Sequence, residues 1–414
     1  MIERNLTARR RSPSAETNLD LGRRHRPDYW LLIWCAVLMV VGLVVVYSIS
    51  PALSATNHVG NNYYLVKQLL AIGLSFCAFF VTYKVPLPWW RKSIKPLLIL
   101  AALATLLALA MPVNPSYPAH RWVRLGGSLS FQSVELVKFV GLIWLAGFFA
   151  DRVKQGNIKD TSKTLKPLLY VLFGVLLVVA GVQSDLGSAG VIVAIVGTMA
   201  FVAGLPLKRI SLIIGIIIIG AIMAISVTPY RRARLEAYLH PQSNCSGSGY
   251  QACQALIAVG SGGMVGLGLG NSVQAYGYLP EAANDSIFAI YAEKFGFIGS
   301  VILIGIFMTF FTRLKNIAER STDDFSRLLV IGVLAWLSVQ TVINMGAMIG
   351  LLPLKGITLP FISYGGTSVV FATASIGLVF QASQYTSFTK RSKAAQEINR
   401  GRNYKNNTLR RVVN

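Results

Sequence analysis

Charged residues are scarce in this chain, and acidic residues are the scarcest of all. Only 13% of its 414 residues are charged, with 16 Asp and Glu against 39 Lys and Arg, whereas 54% are hydrophobic. Soluble globular proteins carry about 25% charged residues. This deficit excludes an ordinary soluble domain and predicts an all-α integral membrane protein, because backbone groups in lipid must bond within helices or closed barrels.

Long apolar runs take the place of the missing charge. A span-length window finds ten candidate transmembrane helices, at residues 29–48, 64–83, 96–112, 132–150, 167–182, 187–204, 211–228, 287–312, 326–350 and 366–383. The run at 29–384 is therefore expected to form one polytopic membrane domain. The basic tails at 1–28 and 385–414 are expected to be disordered.

The distribution of Lys and Arg predicts the orientation of the spans. If the N-terminus is cytoplasmic, the inner segments hold 30 of the 39 basic residues, as the positive-inside rule requires. Both termini are then cytoplasmic. The net charge of +23 is spread over every inner loop instead of forming one face, so we expect contact with membrane lipids and no nucleic acid.

The longest predicted outer segment covers residues 229–286, between the seventh and eighth spans. It contains the glycine-rich stretch GSGGMVGLGLGNS, residues 260–272. No strand-helix-strand unit surrounds these glycines, which argues against a dinucleotide site and favours either close backbone approach or mobility. We expect this loop to fold back over the membrane domain and partly re-enter it.

Few acidic residues remain for chemistry at the outer face. This topology places four acids there, namely Asp185, Glu236, Glu281 and Asp285. It also places six cations there against the positive-inside trend, namely Arg121, Arg124, Arg231, Arg232, Arg234 and Lys355. These cations fit either an anionic ligand at the outer leaflet or an interfacial cluster that meets lipid phosphates.

Charges inside spans are costly unless they pair or face a polar cavity. Glu135 and Lys138 are three residues apart on one predicted helix, so their side chains can meet. A structural ion pair and a role facing the substrate both fit this spacing.

Six motifs, in this order, resemble the SEDS family of peptidoglycan glycosyltransferases, and the similarity runs from about residue 29 to 384. They are RWVRLG at 121–126, QSVELVK at 132–138, QSDLGSAG at 183–190, SGYQACQALIAVGSGG at 248–263, GLGNSVQAYGYLPEAANDSIFAIYAEKFGFIG at 268–299 and GLLPLKGITLPFISYGGTS at 350–368. GNSVQ followed by YLPEA is more similar to the family's cell-division member than to its elongation member.

The resemblance implies a polymerase of lipid II at the outer face of the bacterial cytoplasmic membrane, at the division septum. It places the catalytic carboxylate on Asp285 and puts Trp122 and Lys355 in the site region. It also implies a class B penicillin-binding protein as transpeptidase partner, together with other membrane proteins of the division complex. The family often has His and Thr or Ser before the aspartate and an aromatic residue after it, whereas this chain has Ala283, Asn284 and Ser286.

The chemistry agrees with this inventory of residues. A sugar hydroxyl attacks an anomeric carbon and expels a polyprenyl pyrophosphate, which leaves without a proton but needs its negative charge balanced. One general base, Asp285, and the outer cations can serve these two needs. A divalent cation that bridges Asp285 and the phosphates is compatible with the residues, although nothing in them requires it.

Each outer acid also has a simpler interpretation. Asp285 could cap the helix that follows it, and Asp185 could fix a loop or helix start while supporting the site. Glu281, four residues before Asp285, could raise the pKa of that carboxyl if the segment is helical, or be an exposed acid.

Two other classes of function fit ten helices with intramembrane charges. A flippase for lipid II would carry polar residues along a path through the membrane, and a non-catalytic scaffold would only dock division proteins. Polar residues here concentrate on the outer side, which favours the glycosyltransferase. No Ser-x-x-Lys motif lies in an outer loop, so a transpeptidase must come from a partner.

Cys245 and Cys253 lie together in the long outer loop, where a disulfide can persist. We predict that they are bridged. Intact, unreduced protein should leave both unlabelled by a thiol-alkylating reagent in mass spectrometry, and reduction should expose them. Alkylation of both cysteines before reduction contradicts the bridge.

Overall fold

The computed structural model describes residues 26–111, 120–124, 130–227, 229–240, 245–247 and 249–386. The tails predicted at 1–28 and 385–414 lie almost wholly outside these residues.

The described residues form thirteen α-helices and one small hairpin. The helices are α1 (Tyr29–Thr56), α2 (Tyr63–Lys84), α3 (Leu87–Lys92), α4 (Ile94–Ala110), α5 (Ser133–Lys154), α6 (Lys166–Leu176), α7 (Leu186–Ala203), α8 (Leu207–Val227), α9 (Pro229–Leu239), α10 (Tyr250–Ser261), α11 (Ile287–Arg320), α12 (Asp324–Met348) and α13 (Gly366–Ala382). One π-helical turn on each side extends α6, at Thr161–Leu165 and Leu177–Val182. Strands β1 (Trp122–Arg124) and β2 (Ser130–Gln132) pair antiparallel.

The structure is therefore a helical membrane protein, as predicted. Within the described residues, eight helical segments are long and apolar enough to cross a membrane. The other two predicted positions hold α4, which is shorter, and α8. A helix stands at each of the ten predicted places, while ten spans and their orientation stay predictions.

Acidic side chains mark where several helices begin. Asp28 accepts a hydrogen bond from Trp30 N at 3.1 Å at the start of α1. Asp323 accepts one from Ser326 N at 2.8 Å at the start of α12. These side chains satisfy N–H groups that have no partner inside the helix, which is the usual role of an N-cap. Some of the few acids in the chain thus define helix starts.

The centre of the bundle is formed by α5, α12 and α13. In the apolar windows of these helices 78%, 67% and 83% of residues are buried, against 22% in α2. Helix α12 packs against α11, α7 and α5, and α13 packs along α2. A helix that is apolar on all sides is buried in a protein core or faces lipid. Helices α12 and α13 are buried in this core, and we call them the frame because other helices pack against them.

The glycine-rich stretch of the long loop packs closely against α11. Gly296 interrupts α11 with φ 66° and ψ −164°. A Cβ added there would lie 2.4 Å from Gly266 N, and a Cβ at Gly262 would lie 2.1 Å from Ala292 O. These positions need close backbone approach, the first of the two interpretations predicted for the glycines. The loop also contains α9 and α10, and α10 packs on α11.

Helices α2 and α13 approach each other closely at one glycine, Gly377. A Cβ at Gly377 would lie 2.0 Å from Thr82 Oγ1 and 2.8 Å from Phe79 O. No side chain fits at this distance unless a helix moves. The contact of α2 with the central α13 therefore depends on Gly377.

We predict that Gly377→Ala destabilises the protein by about 1–3 kcal/mol through overpacking. The measurement is the free energy of unfolding in mixed detergent, with the thermal midpoint as a second readout. The matched control is Gly73→Ala on α2, where an added Cβ meets nothing within 4 Å. Equal effects of the two substitutions would show that the close contact is not limiting.

Candidate functional site

Asp285 lies in the turn that leads into α11, and its side chain is half-buried. Three consecutive carbonyls of this turn accept hydrogen bonds from other elements. Tyr364 N donates to Ala283 O at 2.8 Å, Ser363 Oγ donates to Asn284 O at 2.6 Å, and Asn344 Nδ2 donates to Asp285 O at 2.7 Å. The backbone beneath the carboxylate is thus held on three sides.

The structure does not support the helix-cap interpretation of Asp285. Helix α11 begins at Ile287, and its N-cap residue is Ser286. Ser286 Oγ donates to Pro280 O at 2.9 Å and accepts from Gln251 Nε2 at 3.1 Å. The cap position therefore falls one residue after Asp285.

The carboxylate of Asp285 and the guanidinium of Arg121 both lie close to Gly356. The position of an added Cβ at Gly356 lies 3.3 Å from Asp285 Oδ2 and 3.9 Å from Arg121 Nη1. Both groups therefore approach the same point above a residue without a side chain. An acid and a cation at one point can serve proton transfer and anion binding together.

Arg121 is held by the turn before α7. Its Nε donates to Gln183 O at 2.9 Å and its Nη2 donates to Ser184 O at 2.6 Å. Its Nη1 lies 4.0 Å from Asp185 Oδ2. Because the planar guanidinium is fixed by two carbonyls, its remaining N–H groups have a defined direction.

Asp185 is the N-cap of α7. Its carboxylate accepts from Ser188 N and Ser188 Oγ, both at 2.9 Å. Asp185 therefore lies at a helix start, one of the positions predicted for it. The same carboxylate faces Arg121. Asp185 is buried, so it supports the arginine instead of facing solvent.

Lys355 lies next to the start of α7. The position of a Cβ at Gly187 is 3.2 Å from Lys355 Cβ. Since α7 also carries the turn that binds Arg121, the two cations come from segments that meet at one helix end.

Glu135 and Lys138 form a buried ion pair on α5. Lys138 Nζ lies 2.7 Å from Glu135 Oε1 and donates to Gln340 Oε1 at 3.2 Å. Gln340 Nε2 in turn donates to Thr358 O at 2.9 Å. This geometry is that of a structural pair bridging α5 and α12, the first of the two interpretations, and it extends to the loop of Gly356.

Other predicted residues are not brought to this point. Glu281 is exposed, in a turn with φ 53°, and it accepts from Asn284 Nδ2. The segment is not helical, so the condition for its expected effect on Asp285 is not met. Trp122 and Arg124 stand exposed on β1.

The predicted arginine cluster belongs to α9. Arg232 is exposed there, whereas the side chains of Arg231 and Arg234 lie outside the described residues. An anionic ligand and lipid phosphates both stay predictions for this cluster.

The structure joins Cys245 and Cys253 by a disulfide. The bridge ties the segment after α9 to α10, whose Gln251 contacts Ser286. This disulfide is thus connected, through Gln251, to the turn that carries Asp285.

The described residues contain no group of three or more His, Cys, Asp or Glu able to hold a metal ion.

Sequence reasoning missed Asn344, Ser363 and Gln183. Asn344 had a usable signal, since a polar residue inside an apolar span is a functional candidate. Gln183 Nε2 donates to Ser133 Oγ at 2.9 Å and joins the Arg121 turn to α5.

Burial raises the pKa of the Tyr364 phenol. The phenol therefore stays neutral as pH rises through the usual tyrosine range. The backbone N–H of the same residue donates to Ala283 O.

Residues 29–388 match the family model described as "Cell cycle protein", which covers FtsW, RodA and SpoVE. A probable peptidoglycan glycosyltransferase FtsW of Coxiella burnetii is 36% identical over 365 residues, 87% of this chain and 96% of the relative. The probable peptidoglycan glycosyltransferase FtsW of Saccharophagus degradans is 38% identical over 364 residues, 86% of this chain and 92% of the relative. Stage V sporulation protein E of Bacillus subtilis is 33% identical over 367 residues, 88% and 99%.

Solved structures have the same fold. One chain of a peptidoglycan synthase complex, studied for how polymerisation and crosslinking are coordinated, superposes with a TM-score of 0.69 at 25% identity, covering 87% of this chain and 99% of that chain. The rod shape determining protein RodA of Thermus thermophilus superposes with a TM-score of 0.61 at 24% identity, covering 87% and 98%. With the family model matched over most of its length, this chain belongs to the cell cycle protein family of FtsW, RodA and SpoVE.

Proposed function

We propose that this protein is a peptidoglycan glycosyltransferase that polymerises lipid II at the outer face of the cytoplasmic membrane. The observation that carries the proposal is the approach of Asp285 Oδ2 and Arg121 Nη1 to one point above Gly356. Curated relatives that are more than 35% identical are named probable peptidoglycan glycosyltransferases FtsW.

Asp285 acts as the general base. Its carboxylate accepts the proton of the attacking sugar hydroxyl while the hydroxyl oxygen forms a bond to the anomeric carbon of the donor. The bond from that carbon to the pyrophosphate oxygen breaks, and both of its electrons leave with the polyprenyl pyrophosphate. Proton transfer by a positioned side chain contributes about 10²–10⁴-fold to a rate.

Arg121 and Lys355 bind the leaving pyrophosphate. A pyrophosphate needs no proton to depart, whereas an alkoxide leaving group does, so the second carboxylate of an ordinary glycosidase has no task here. The guanidinium of Arg121 is already fixed by Gln183 O and Ser184 O. A donor oriented before the reaction stabilises developing charge with little reorganisation.

Division at the septum and a penicillin-binding partner complete the proposal. The relatives named FtsW support a role in cell division. The synthase complex with the same fold coordinates polymerisation with crosslinking, and we propose a class B penicillin-binding protein as the crosslinking partner of this chain. Other division-complex membrane proteins are further partners, and membrane lipids surround the helices.

We predict that Asp285→Asn lowers polymerisation by about 10²-fold or more, because an amide cannot accept the hydroxyl proton. Lipid II binding and the thermal midpoint should stay close to those of the unaltered protein. The assay is a gel of glycan strands from fluorescent lipid II, with protein reconstituted beside its penicillin-binding partner.

The matched control for this assay is Glu236→Gln, which neutralises an exposed outer acid on α9. Full-length strands from the Asp285→Asn variant would remove the aspartate from catalysis. A flippase or scaffold predicts no strands even from the unaltered protein.

We predict that changing Arg231, Arg232 and Arg234 together to Gln weakens lipid II binding, by roughly 1.5–3 kcal/mol for each charge-assisted contact that is desolvated. Binding is measured by titration of fluorescent lipid II into protein in nanodiscs. A control with the same loss of charge changes Lys154, Lys159 and Lys163 in the predicted inner loop. If both variants bind as the unaltered protein does, the α9 cluster contacts lipid headgroups instead of substrate.

A further inference from the structure

Asn344 is a buried amide near the C-terminal end of a central helix. It lies on α12 and is 1% exposed. Its Nδ2 donates to two backbone carbonyls, Asp285 O and Ile357 O, each at 2.7 Å. One side chain thus joins two loops that are far apart in the chain.

The orientation of this amide follows from chemistry. Both partners are carbonyl oxygens, which only accept, so the NH₂ group must face them. The other atom, Oδ1, is buried and has no hydrogen-bond partner among the described residues. An asparagine that leaves a buried oxygen unpaired is a poor choice for packing alone, so its two donated bonds are the feature to explain.

The two loops carry the groups of the candidate site. One carbonyl belongs to Asp285 itself. The other belongs to Ile357, which follows Gly356, the empty position approached by Asp285 Oδ2 and Arg121 Nη1. Lys355 lies two residues before Ile357. The backbone N–H of Ile357 donates a hydrogen bond to Lys355 O at 2.6 Å, which closes a tight turn between them. The carboxamide of Asn344 therefore links the Asp285 turn to the segment that carries Lys355.

Asn344 is the contact that ties the Asp285 carbonyl to a helix of the frame. The neighbouring carbonyls of Ala283 and Asn284 are held by Tyr364 and Ser363, which belong to the loop before α13. Groups held by a packed helix are more accurately placed than groups held by loops, and Asn344 comes from the central α12.

We propose that Asn344 is a positioning residue for the transfer step. Its carboxamide fixes the Asp285 carboxylate relative to the Lys355–Ile357 segment, so that the hydroxyl proton and the leaving pyrophosphate are served in one geometry. This inference rests on the proposed function. It assigns Asn344 no contact with the substrate.

The first test is Asn344→Leu, which keeps the side-chain volume nearly constant and removes both donated bonds. Displacement of a catalytic group by about 1 Å can cost about 10²-fold in rate. We expect kcat for strand polymerisation, per folded molecule from the monodisperse chromatographic peak, to fall about tenfold to 10²-fold. KM for lipid II should change less than kcat, because Arg121 stays fixed by Gln183 O and Ser184 O.

The matched control is Thr341→Val on the same helix. Thr341 is buried, and its Oγ1 donates to Leu337 O inside α12 at 2.8 Å. This variant loses one buried hydrogen bond without touching either loop, so kcat should stay at the level of the unaltered protein. An equal fall of kcat in both variants would assign Asn344 a merely structural role and overturn the proposal.

A second measurement needs no activity. Asp285→Cys places a thiol at the proposed base, in a background with Cys77→Ser, which removes the exposed free cysteine. If Asn344 holds this turn, adding Asn344→Leu should raise the alkylation rate of the new thiol several-fold, whereas Thr341→Val should not change it.

The outcomes separate the two proposals. Unaltered protein that makes no glycan contradicts the proposed function, while the thiol rates still decide whether Asn344 holds the turn. The positioning role is overturned if the unaltered protein is active and the Asn344→Leu variant has an equal kcat. It is also overturned if the Asp285→Cys thiol is alkylated at the same rate with and without Asn344→Leu.

Discussion

A polar group buried among apolar helices must find its hydrogen-bond partner inside the protein, and much of this structure follows from that requirement. Lys138 on α5 reaches Gln340 on α12. Glu293 on α11 accepts from Val273 N at 2.9 Å and Gln274 N at 3.2 Å, and so fastens the glycine-rich loop to its helix. The buried polar groups thus decide which loop lies against which helix.

Two buried amide side chains on one face of α12 bind the loops of the candidate site. Gln340 and Asn344 are four residues apart, so their side chains lie on the same face of the helix. Gln340 binds Thr358 O and Asn344 binds Ile357 O. Two successive carbonyls of the loop that follows Lys355 are therefore held by two turns of one buried helix. The buried pair at Lys138 is connected to the same face through Gln340.

The residues around Asp285 that depart from the family's common pattern have structural roles here. Ala283 is 4% exposed and its carbonyl binds Tyr364 N. The Asn284 side chain donates to Glu281 while its carbonyl binds Ser363 Oγ. The two backbone contacts hold the turn that carries Asp285.

The sequence by itself determined the helices, since apolar length and N-cap residues such as Asp185 and Asp323 are local properties. It also determined that Glu135 and Lys138 can pair, because three residues are nearly one helical turn. Only the tertiary structure decided that Arg121 and Asp285 both approach Gly356, and that Asn344 joins the Asp285 turn to the loop of Gly356. Those groups lie up to 235 residues apart in the chain. Their approach depends on which helices pack together, and no local pattern contains that information.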